Sequence, residues 1–453
     1  MKKIFLLFFV MISSHVLIHA QEKTFTTKGL SKEEKKIIDY IDANMPRAIE
    51  LLKESVNINS GSLNIEGVKK VGALFAKELE KAGLKTQWIA MPDSLKRAGH
   101  LVAATPAASN INTTPAASQA NTKTKGKKLF LIGHLDTVFE PDMPANPFTM
   151  LNDSTATGQG VNDMKGGDVV IIIALQALQA QGLLKEAAIT AYFTGDEESA
   201  GHPREVSRGD FIERAKQSEV ALAFEGATGL QTLATARRGA SGWKLEVYGK
   251  TGHSSTVFTP QAGYGSIYEA ARIVNSFREQ LSQEKYLTFN PGVFIGGSDM
   301  EYNEDKATGS AIGKTNIISP KTVVTGDLRF LTEEQKTNAR KTMQNIVNQN
   351  LTGTKASISF QDGIPSMAPT AGNGKILNII SGITTDMGIG ATKAGDPGSR
   401  GAGDISYIAA YLDCIDGLGA SGKGAHAPGE TINLKELPFL IKRAALTMYR
   451  LTR

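Results

Sequence analysis

Two side chains that could hold a metal ion follow a short apolar segment in GHLDTV, where His134 and Asp136 stand two residues apart. At the end of a β-strand this spacing directs both side chains to the same side of the sheet. A metal-bound imidazole needs an acceptor for its second nitrogen, and a carboxylate at this distance can provide one. On its own, a His-X-Asp pair is more often structural than metal-binding.

Further carboxylates occur in two other motifs. Asp163 lies in the glycine-rich GQGVNDMKGG, just before a predicted helix, where it could bridge two cations or act as an N-cap. TGDEESAG places Asp196, Glu197 and Glu198 directly after the apolar AITAYF. Like charges beside a buried strand are costly unless cations compensate them, whereas the alternative is a solvated acidic loop.

Glu225 in AFEGA and His426 in GKGAHAPGE add one carboxylate and one imidazole, although either alone could be an ordinary loop residue. Taken together, two histidines and three carboxylates fit a dinuclear site for a borderline cation such as zinc. Two metal ions can lower the pKa of water and polarise a carbonyl group. A further carboxylate must then accept the proton.

The elements that must position these residues begin near Lys128, where apolar segments (LFLIG, AITAYFTG, VALAF) alternate with helical stretches. This alternation predicts parallel βαβ units and a sheet that is buried on both faces. Ligands of such sheets collect beyond the carboxyl ends of the strands, which is where the polar residues fall. Helices are also predicted over 32–52, 67–82 and 434–451.

Around Arg237 the pattern changes to alternating strands such as GWKLEVYGK, with helices over 263–281 and 332–350. The pattern predicts an α/β protein with a central, mostly parallel sheet and a separate antiparallel α+β unit inserted into it. The predicted divisions are a signal peptide over 1–20 and a catalytic domain in two parts, 21–236 and 363–453. The inserted unit over 237–362 separates these two parts.

The sequence resembles the zinc exopeptidase family of the glutamate carboxypeptidases, of the carboxypeptidase G type. Aminoacylase, acetylornithine deacetylase and succinyl-diaminopimelate desuccinylase are related to that family. Six motifs carry the resemblance in this order: GHLDTV, GQGVNDMKGG, TGDEESAG, AFEGA, GKTGHSS and GKGAHAPGE. The resemblance covers nearly the whole chain from about Lys32 onward. It implies a zinc-exopeptidase catalytic domain with a ferredoxin-like lid or dimerisation domain, and a homodimer formed through that inserted domain.

The resemblance also implies two zinc ions per chain, bridged by Asp163. The remaining ligands would complete one ion's site or the other's: His134 and Glu225 for the first, Glu198 and His426 for the second. Asp136 would orient the histidine of the first site.

For catalysis, the resemblance implies that Glu197 is the general base, which takes a proton from water and passes it to the leaving amine. His253 in GKTGHSS would stabilise the oxyanion, often from the partner subunit. Asn316 and Arg329 would bind the substrate carboxylate, although either could instead pair within the lid.

The composition excludes several other classes of protein. With 41% hydrophobic and 21% charged residues, the chain has the balance of a water-soluble globular protein. A net charge of +5, only two tryptophans and no recognisable basic patch leave nucleic-acid binding without support.

The first twenty residues, MKKIFLLFFVMISSHVLIHA, have the basic start, apolar segment and small final residue of a secretory signal peptide. We therefore expect an exported protein, periplasmic or secreted, with no membrane contact after cleavage. An uncleaved anchor is the alternative, but the apolar segment falls short of the ~20 residues that cross a bilayer. Cys414 is the only cysteine, so an internal disulfide is excluded.

Residues 103–126 contain Thr-Pro-Ala-Ala-Ser twice and almost no bulky apolar side chain, which predicts a flexible surface loop without a role in the core. His100 and His202 match no motif and are expected at the surface.

The leading functional hypothesis is an exported dinuclear zinc carboxypeptidase that hydrolyses an amide bond and releases a C-terminal amino acid, with glutamate as a candidate. An N-acyl-amino-acid amidohydrolase or dipeptidase on the same scaffold is the first alternative, because the substrate pocket rather than the metal site separates these activities. The substrate is in each case a small peptide or an N-acyl amino acid. A non-catalytic, zinc-stabilised peptide-binding protein is the alternative from another class.

Overall fold

The computed structural model describes residues 29–109, 124–304 and 306–453. This part of the chain contains ten α-helices, which in chain order are α1 (Lys32–Ala43), α2 (Met45–Val56), α3 (Ile65–Lys81), α4 (Pro106–Ser109), α5 (Lys165–Ala180), α6 (Arg204–Ala215), α7 (Gly265–Leu281), α8 (Glu333–Val347), α9 (Ala371–Asp386) and α10 (Leu437–Leu451).

Eighteen β-strands form the sheets of the same described residues. The strands are β1 (Lys85–Ile89), β2 (His100–Ala104), β3 (Leu129–His134), β4 (Thr149–Asn152), β5 (Thr155–Thr157), β6 (Ile189–Thr194), β7 (Val220–Ala223), β8 (Thr232–Leu233), β9 (Gly239–Gly249), β10 (Thr288–Gly297), β11 (Asp299–Asn303), β12 (Thr308–Ile312), β13 (Lys321–Phe330), β14 (Thr354–Asp362), β15 (Lys393–Ala394), β16 (Asp413–Ile415), β17 (Gly422–Lys423) and β18 (Thr431–Asn433).

A six-stranded sheet in the order β1-β2-β6-β3-β7-β16 forms the centre of the larger unit. β6, β3, β7 and β16 run parallel to one another, whereas β2 pairs antiparallel with both β1 and β6. Successive residues of β3 face different cores. Leu131 belongs to a core that includes residues of α1, α2, α3, α5 and α10, and Phe130 belongs to the other core, which includes Phe211 of α6. The predicted α/β fold with a mainly parallel sheet, buried on both faces, is confirmed.

Helix α5 connects the site to this core. Almost every residue from Lys165 to Leu178 is buried, including the continuous apolar segment from Val169 to Leu175. A helix that is apolar on all sides must be surrounded by other elements. Because α5 contacts α1, α2, α3, α10 and β3, its N-terminus is held in a fixed place beside the ends of the parallel strands.

The smaller unit is a four-stranded antiparallel sheet in the order β10-β13-β9-β14. Helices α7 and α8 pack on it around a separate hydrophobic core that includes Trp243, Phe277, Val324 and Met343. The alternating burial of β9 follows the alternating sequence from which this unit was predicted. The hairpin β11–β12 is an addition that the sequence pattern did not indicate. The domain limits stated above stay predictions.

Two local predictions were wrong. The predicted helix over 32–52 is two helices, α1 and α2, separated at Asn44, because Pro46 at the start of α2 has no amide hydrogen to continue α1.

The first Thr-Pro-Ala-Ala-Ser copy makes buried contacts, which contradicts the predicted flexible surface loop. Ala107 and Ala108 are buried against Ala188, and the Thr105 hydroxyl donates to the carbonyl of Ala187 at 2.6 Å. Small side chains can pack where bulky ones would not fit, so composition alone misjudged residues 103–109. The second copy, residues 114–118, lies outside the described residues.

The C-terminal segment returns to the larger unit through a small sheet in the order β17-β18-β5-β4. β18 pairs with β5, which precedes Asp163 by a few residues, and the β17–β18 connection carries His426. This sheet therefore brings two distant motifs together.

The proposed signal peptide also lies outside the described residues. Among the helices that the structure describes, none has the length and apolar character needed to cross a membrane.

Candidate metal centre

The carboxyl ends of three parallel strands and two loops meet at one edge of the central sheet. His134 is the last residue of β3, and Glu198 and Glu225 follow β6 and β7. Asp163 comes just before α5, and His426 comes from the loop between β17 and β18. The structure thus brings together all five side chains that were predicted as metal ligands.

Three of these residues, His134, Asp163 and Glu225, form a first group of potential ligands. The Nε2 atom of His134 lies 3.2 Å from Asp163 Oδ1 and 3.9 Å from Glu225 Oε1. Its Nδ1 atom faces the backbone carbonyl of Asp136 at 3.0 Å and the carboxylate of Asp136 at 3.5 Å. An acceptor at Nδ1 fixes the imidazole tautomer that presents the Nε2 lone pair to a cation.

The second group consists of Asp163, Glu198 and His426. The Nε2 atom of His426 lies 3.1 Å from Asp163 Oδ2 and 3.2 Å from Glu198 Oε2. Asp163 therefore points one carboxylate oxygen to each group, which is the arrangement of a bridging ligand. The other oxygen of Glu198 is buried and has no hydrogen-bond partner among the described residues, as expected of an atom that binds an ion.

The electrostatics of the site also favour a cation. Burial raises the pKa of Glu225 to about 7, with Asp163 adding to the effect, and burial raises the pKa of Glu198 above its usual range. Asp163 behaves differently, because hydrogen bonds from the two histidines outweigh its burial and hold its pKa well below the usual value. Crowded carboxylates that resist ionisation become favourable once divalent cations neutralise them. Imidazole and carboxylate donors without thiolates suit zinc and similar borderline cations.

The carboxylate of Asp136 organises both halves of the site. It accepts hydrogen bonds from the backbone amides of Glu197 at 3.0 Å and Glu198 at 3.1 Å. It also accepts one from the Ser62 hydroxyl at 2.6 Å. Asp136 therefore fixes the acidic loop as well as its neighbour His134, and Ser62 is a contributor that no sequence motif revealed.

Glu197 lies beside both ligand groups and lines a cavity of about 470 Å³ together with Asp163, Glu225 and His426. Burial raises its pKa well above the usual value, and the nearby Glu225 adds to this. A carboxylate with an elevated pKa can both accept and return a proton near neutral pH. Glu197 is thus a carboxylate at the site that is not a member of either ligand group containing Asp163.

The three predicted lid residues lie elsewhere among the described residues. Exposed His253 has its Nδ1 within 2.8 Å of the Ser255 hydroxyl, and its backbone pairs with Ile317, next to exposed Asn316. Arg329 lies on β13 and donates from Nε to Asp327 at 2.9 Å. None of the three predicted lid residues lines the 470 Å³ cavity, so their roles in catalysis and substrate binding stay predictions.

Residues 130–450 match the model of the peptidase family M20/M25/M40. The chain belongs to this family. The resemblance inferred from the motifs is therefore confirmed, and the protein is an M20 family hydrolase.

Relatives of this M20 peptidase include carboxypeptidase G2 from Pseudomonas sp. (strain RS-16), which is 25% identical over 405 residues and 88% of each chain. Succinyl-diaminopimelate desuccinylase from Pseudomonas fluorescens is 25% identical over 342 residues, covering 73% of this chain and 84% of the relative.

Solved structures share the fold of this M20 peptidase. Aminopeptidase PepT from Bacillus cereus has a TM-score of 0.67 at 16% identity. The match covers 90% of this chain and 99% of the PepT chain. The Bacillus subtilis YXEP protein, described as a dinuclear metal-binding peptidase of the M20 family, has a TM-score of 0.61 at 13% identity and covers 91% and 99%.

Several residues of this M20 peptidase that support the site had no signal in the sequence. His100, predicted at the surface, is fully buried, and its ring nitrogens contact the Ser207 carbonyl and the Gly195 amide. That prediction was wrong, because the β2 strand in which His100 lies is interior. The Ser207 hydroxyl in turn donates to Asp196 at 2.6 Å. The loop that carries Glu197 and Glu198 is therefore anchored from below.

Arg208 completes this anchor. Its buried guanidinium pairs with Asp196 and, at 2.8 Å, with Asp404, while the other oxygen of Asp404 accepts a bond from Thr194. This arrangement gives Asp196, which had no predicted role, a structural one.

Glu430 is a second buried support in this M20 peptidase. Its carboxylate accepts three backbone hydrogen bonds, from Gly160 at 3.1 Å and from Asn162 and Asp163 at 2.7 Å each. These donors belong to the loop that presents Asp163, and Glu430 follows His426 by four residues. Glu430 therefore connects the loop that presents Asp163 to the loop that carries His426.

Removing this support should weaken metal binding. In Glu430→Ala, buried amides would lose their acceptor and Asp163 would be less well fixed, so we expect metal affinity to fall by about 10- to 100-fold. Titration against a competing chelator measures this fall. Glu78→Ala is a matched control, since Glu78 is also a buried carboxylate that accepts several hydrogen bonds, but its donors Arg47, Lys81 and Gln176 do not belong to the loops that carry Asp163 and His426. Unchanged affinity in folded Glu430→Ala would contradict the role.

Proposed function

We propose that this chain is an exported dinuclear zinc peptidase that hydrolyses an amide bond and releases a C-terminal amino acid, with glutamate as a candidate product. One observation carries the proposal: Asp163 contributes one oxygen to each of two ligand groups, and Glu197 lines the same cavity. The relation to carboxypeptidase G2 supports the carboxypeptidase type, and the first twenty residues support export.

His134, Asp163, Glu225, Glu198 and His426 would hold the two zinc ions. Bound zinc would supply Lewis-acid chemistry, polarising the carbonyl of the substrate and lowering the pKa of water. Side chains of the protein would carry out the proton transfers and position the reacting groups.

Glu197 would accept a proton from the attacking water while the water oxygen bonds to the carbonyl carbon. It would then deliver that proton to the nitrogen of the leaving group as the carbon–nitrogen bond breaks, giving a carboxylic acid and a free amine. The raised pKa of Glu197 suits both transfers, because the same group must bind and release one proton in each turnover. Asp136 would keep Glu197 aligned through the hydrogen bond to its backbone amide.

The lid would supply the remaining groups. In a homodimer, the His253 side chain of one subunit would stabilise the oxyanion in the site of the other subunit. Asn316 and Arg329 would contact the substrate carboxylate. The exposure of His253 within its own chain is compatible with a role in a neighbouring subunit.

The decisive experiment is mass spectrometry of products after incubation of zinc-loaded protein with dipeptides, acyl-glutamates and acetylated amino acids. We expect cleavage by the wild type and none by Glu197→Ala, with a C-terminal amino acid among the products. Exclusive cleavage of acetylated amino acids would replace the carboxypeptidase assignment by an amidohydrolase. Binding of peptides without any product would overturn catalysis in favour of a peptide-binding protein.

A further inference from the structure

The cavity that contains the candidate metal centre is also lined by basic side chains. Of its basic side chains, Arg237 is fully used: it pairs with Asp416 at 2.6 Å and donates to the carbonyls of Gly401 and Ala402. Arg400 and Lys423 line the same cavity, and neither forms an ion pair with any residue that the structure describes.

Arg400 is held next to a metal ligand. Its Nη1 atom donates to the carbonyl of Gly226 at 2.9 Å, and Gly226 directly follows Glu225. A β-carbon at Gly417 would lie 3.0 Å from the same Nη1 atom, so the guanidinium fits against a glycine. The half-buried guanidinium is thus fixed through one nitrogen, while its Nε and Nη2 atoms make no hydrogen bond within the described chain.

A half-buried guanidinium with free donors is suited to a carboxylate. Two parallel N–H groups match the two oxygens of a carboxylate, and such charge-assisted bonds are stronger than neutral ones. Carboxylates of the chain do line the cavity, but Asp163 and Glu225 face His134, and among the described residues neither they nor Glu197 forms an ion pair with Arg400. The missing anion would therefore come from the substrate.

We propose that Arg400 binds a carboxylate of the substrate, so that this site selects acidic peptides over their amides; the inference rests on the proposed function. Lys423, exposed on β17, adds a second positive charge to the lining of the same cavity. The carboxylate recognised is either the free C-terminus or an acidic side chain of the released residue.

Three dipeptides distinguish the two sources: alanyl-glutamate, its C-terminal amide, and alanyl-glutamine. Zinc-loaded wild type should prefer the acid over one of the two amides. Arg400→Ala should raise KM by about 10- to 100-fold for the two probes that keep the contacted carboxylate. The KM for the third probe, which lacks that carboxylate, should change by less than about twofold. Arg400→Gln, which keeps a donor for Gly226, should show the same selective loss.

Arg238→Ala is the matched control. Arg238 also carries a positive charge and donates to Gly398 of the same loop, but it does not line the cavity. This variant should keep the wild-type ratio of KM values for acid and amide. An equal change of that ratio in Arg238→Ala and Arg400→Ala would overturn the proposal in favour of a general disturbance of the loop.

Binding measurements separate this inference from the proposed function. In a Glu197→Gln background, calorimetry gives the Kd of each dipeptide without turnover. If the parent protein hydrolyses none of the probes, the proposed function fails for them, but selective loss of affinity for the acid in Arg400→Ala would still support carboxylate recognition. Equal affinity for acid and amides, a loss shared by all probes, or no binding of alanyl-glutamate would overturn it.

Discussion

Replacing Glu197 by glutamine should reduce turnover by about 10²- to 10⁴-fold while the protein keeps both metal ions. Glutamine has nearly the same size but cannot accept a proton from water, so only the proton transfers are lost. The loss should appear in kcat, measured under saturating substrate, with metal content determined by elemental analysis of the same sample.

The metal count matters because Glu197 also belongs to a third group of neighbouring side chains, with His134 and Glu198. If Glu197 were a ligand rather than a base, Glu197→Gln would lose metal together with activity. Glu205→Gln is a suitable control, since Glu205 is an exposed carboxylate on the following helix α6. Retention of near wild-type kcat in Glu197→Gln would remove it from the mechanism.

The parts of the site that sequence reasoning identified share a simple physical feature. His134, Glu198 and Glu225 each end or follow an apolar strand segment, and the parallel arrangement of such segments places their carboxyl ends at one edge. Asp163 precedes an apolar helix whose start is equally visible in the sequence. Local patterns were therefore enough to predict which of these side chains lie together.

The supports behind the ligands could not be predicted in the same way. Glu430 bonds to amides of Asn162 and Asp163 that are more than 260 residues away, and Arg208 joins Asp196 to Asp404, which belongs to another loop. Such contacts depend on how loops from different parts of the chain pack, and they produce no periodic pattern. Arg400 is a similar case, because its glycine-rich loop GDPGSRGAGD fits turns more simply than a place in the substrate pocket, whereas in the structure Arg400 lines the cavity.

The position of Asp163 between the two ligand groups predicts a second large effect, on metal content. Because its two oxygens face different ligand groups, at 3.2 Å from His134 and 3.1 Å from His426, Asp163→Ala should lose both metal ions. His426→Ala removes a ligand from one group only and should lose about one ion per chain, leaving the first group occupied.

Metal analysis after dialysis against a fixed free zinc concentration compares these variants directly. The expected order is two ions in the wild type, about one in His426→Ala and none in Asp163→Ala, with the last variant inactive. His202→Ala, at an exposed histidine outside both groups, is the control and should retain two. Two ions in Asp163→Ala would show that no carboxylate bridge is needed. Loss of both ions in His426→Ala would show that binding at the first group depends on the ion at the second group. If the two ions bound independently, removing His426 would affect only the ion of its own group.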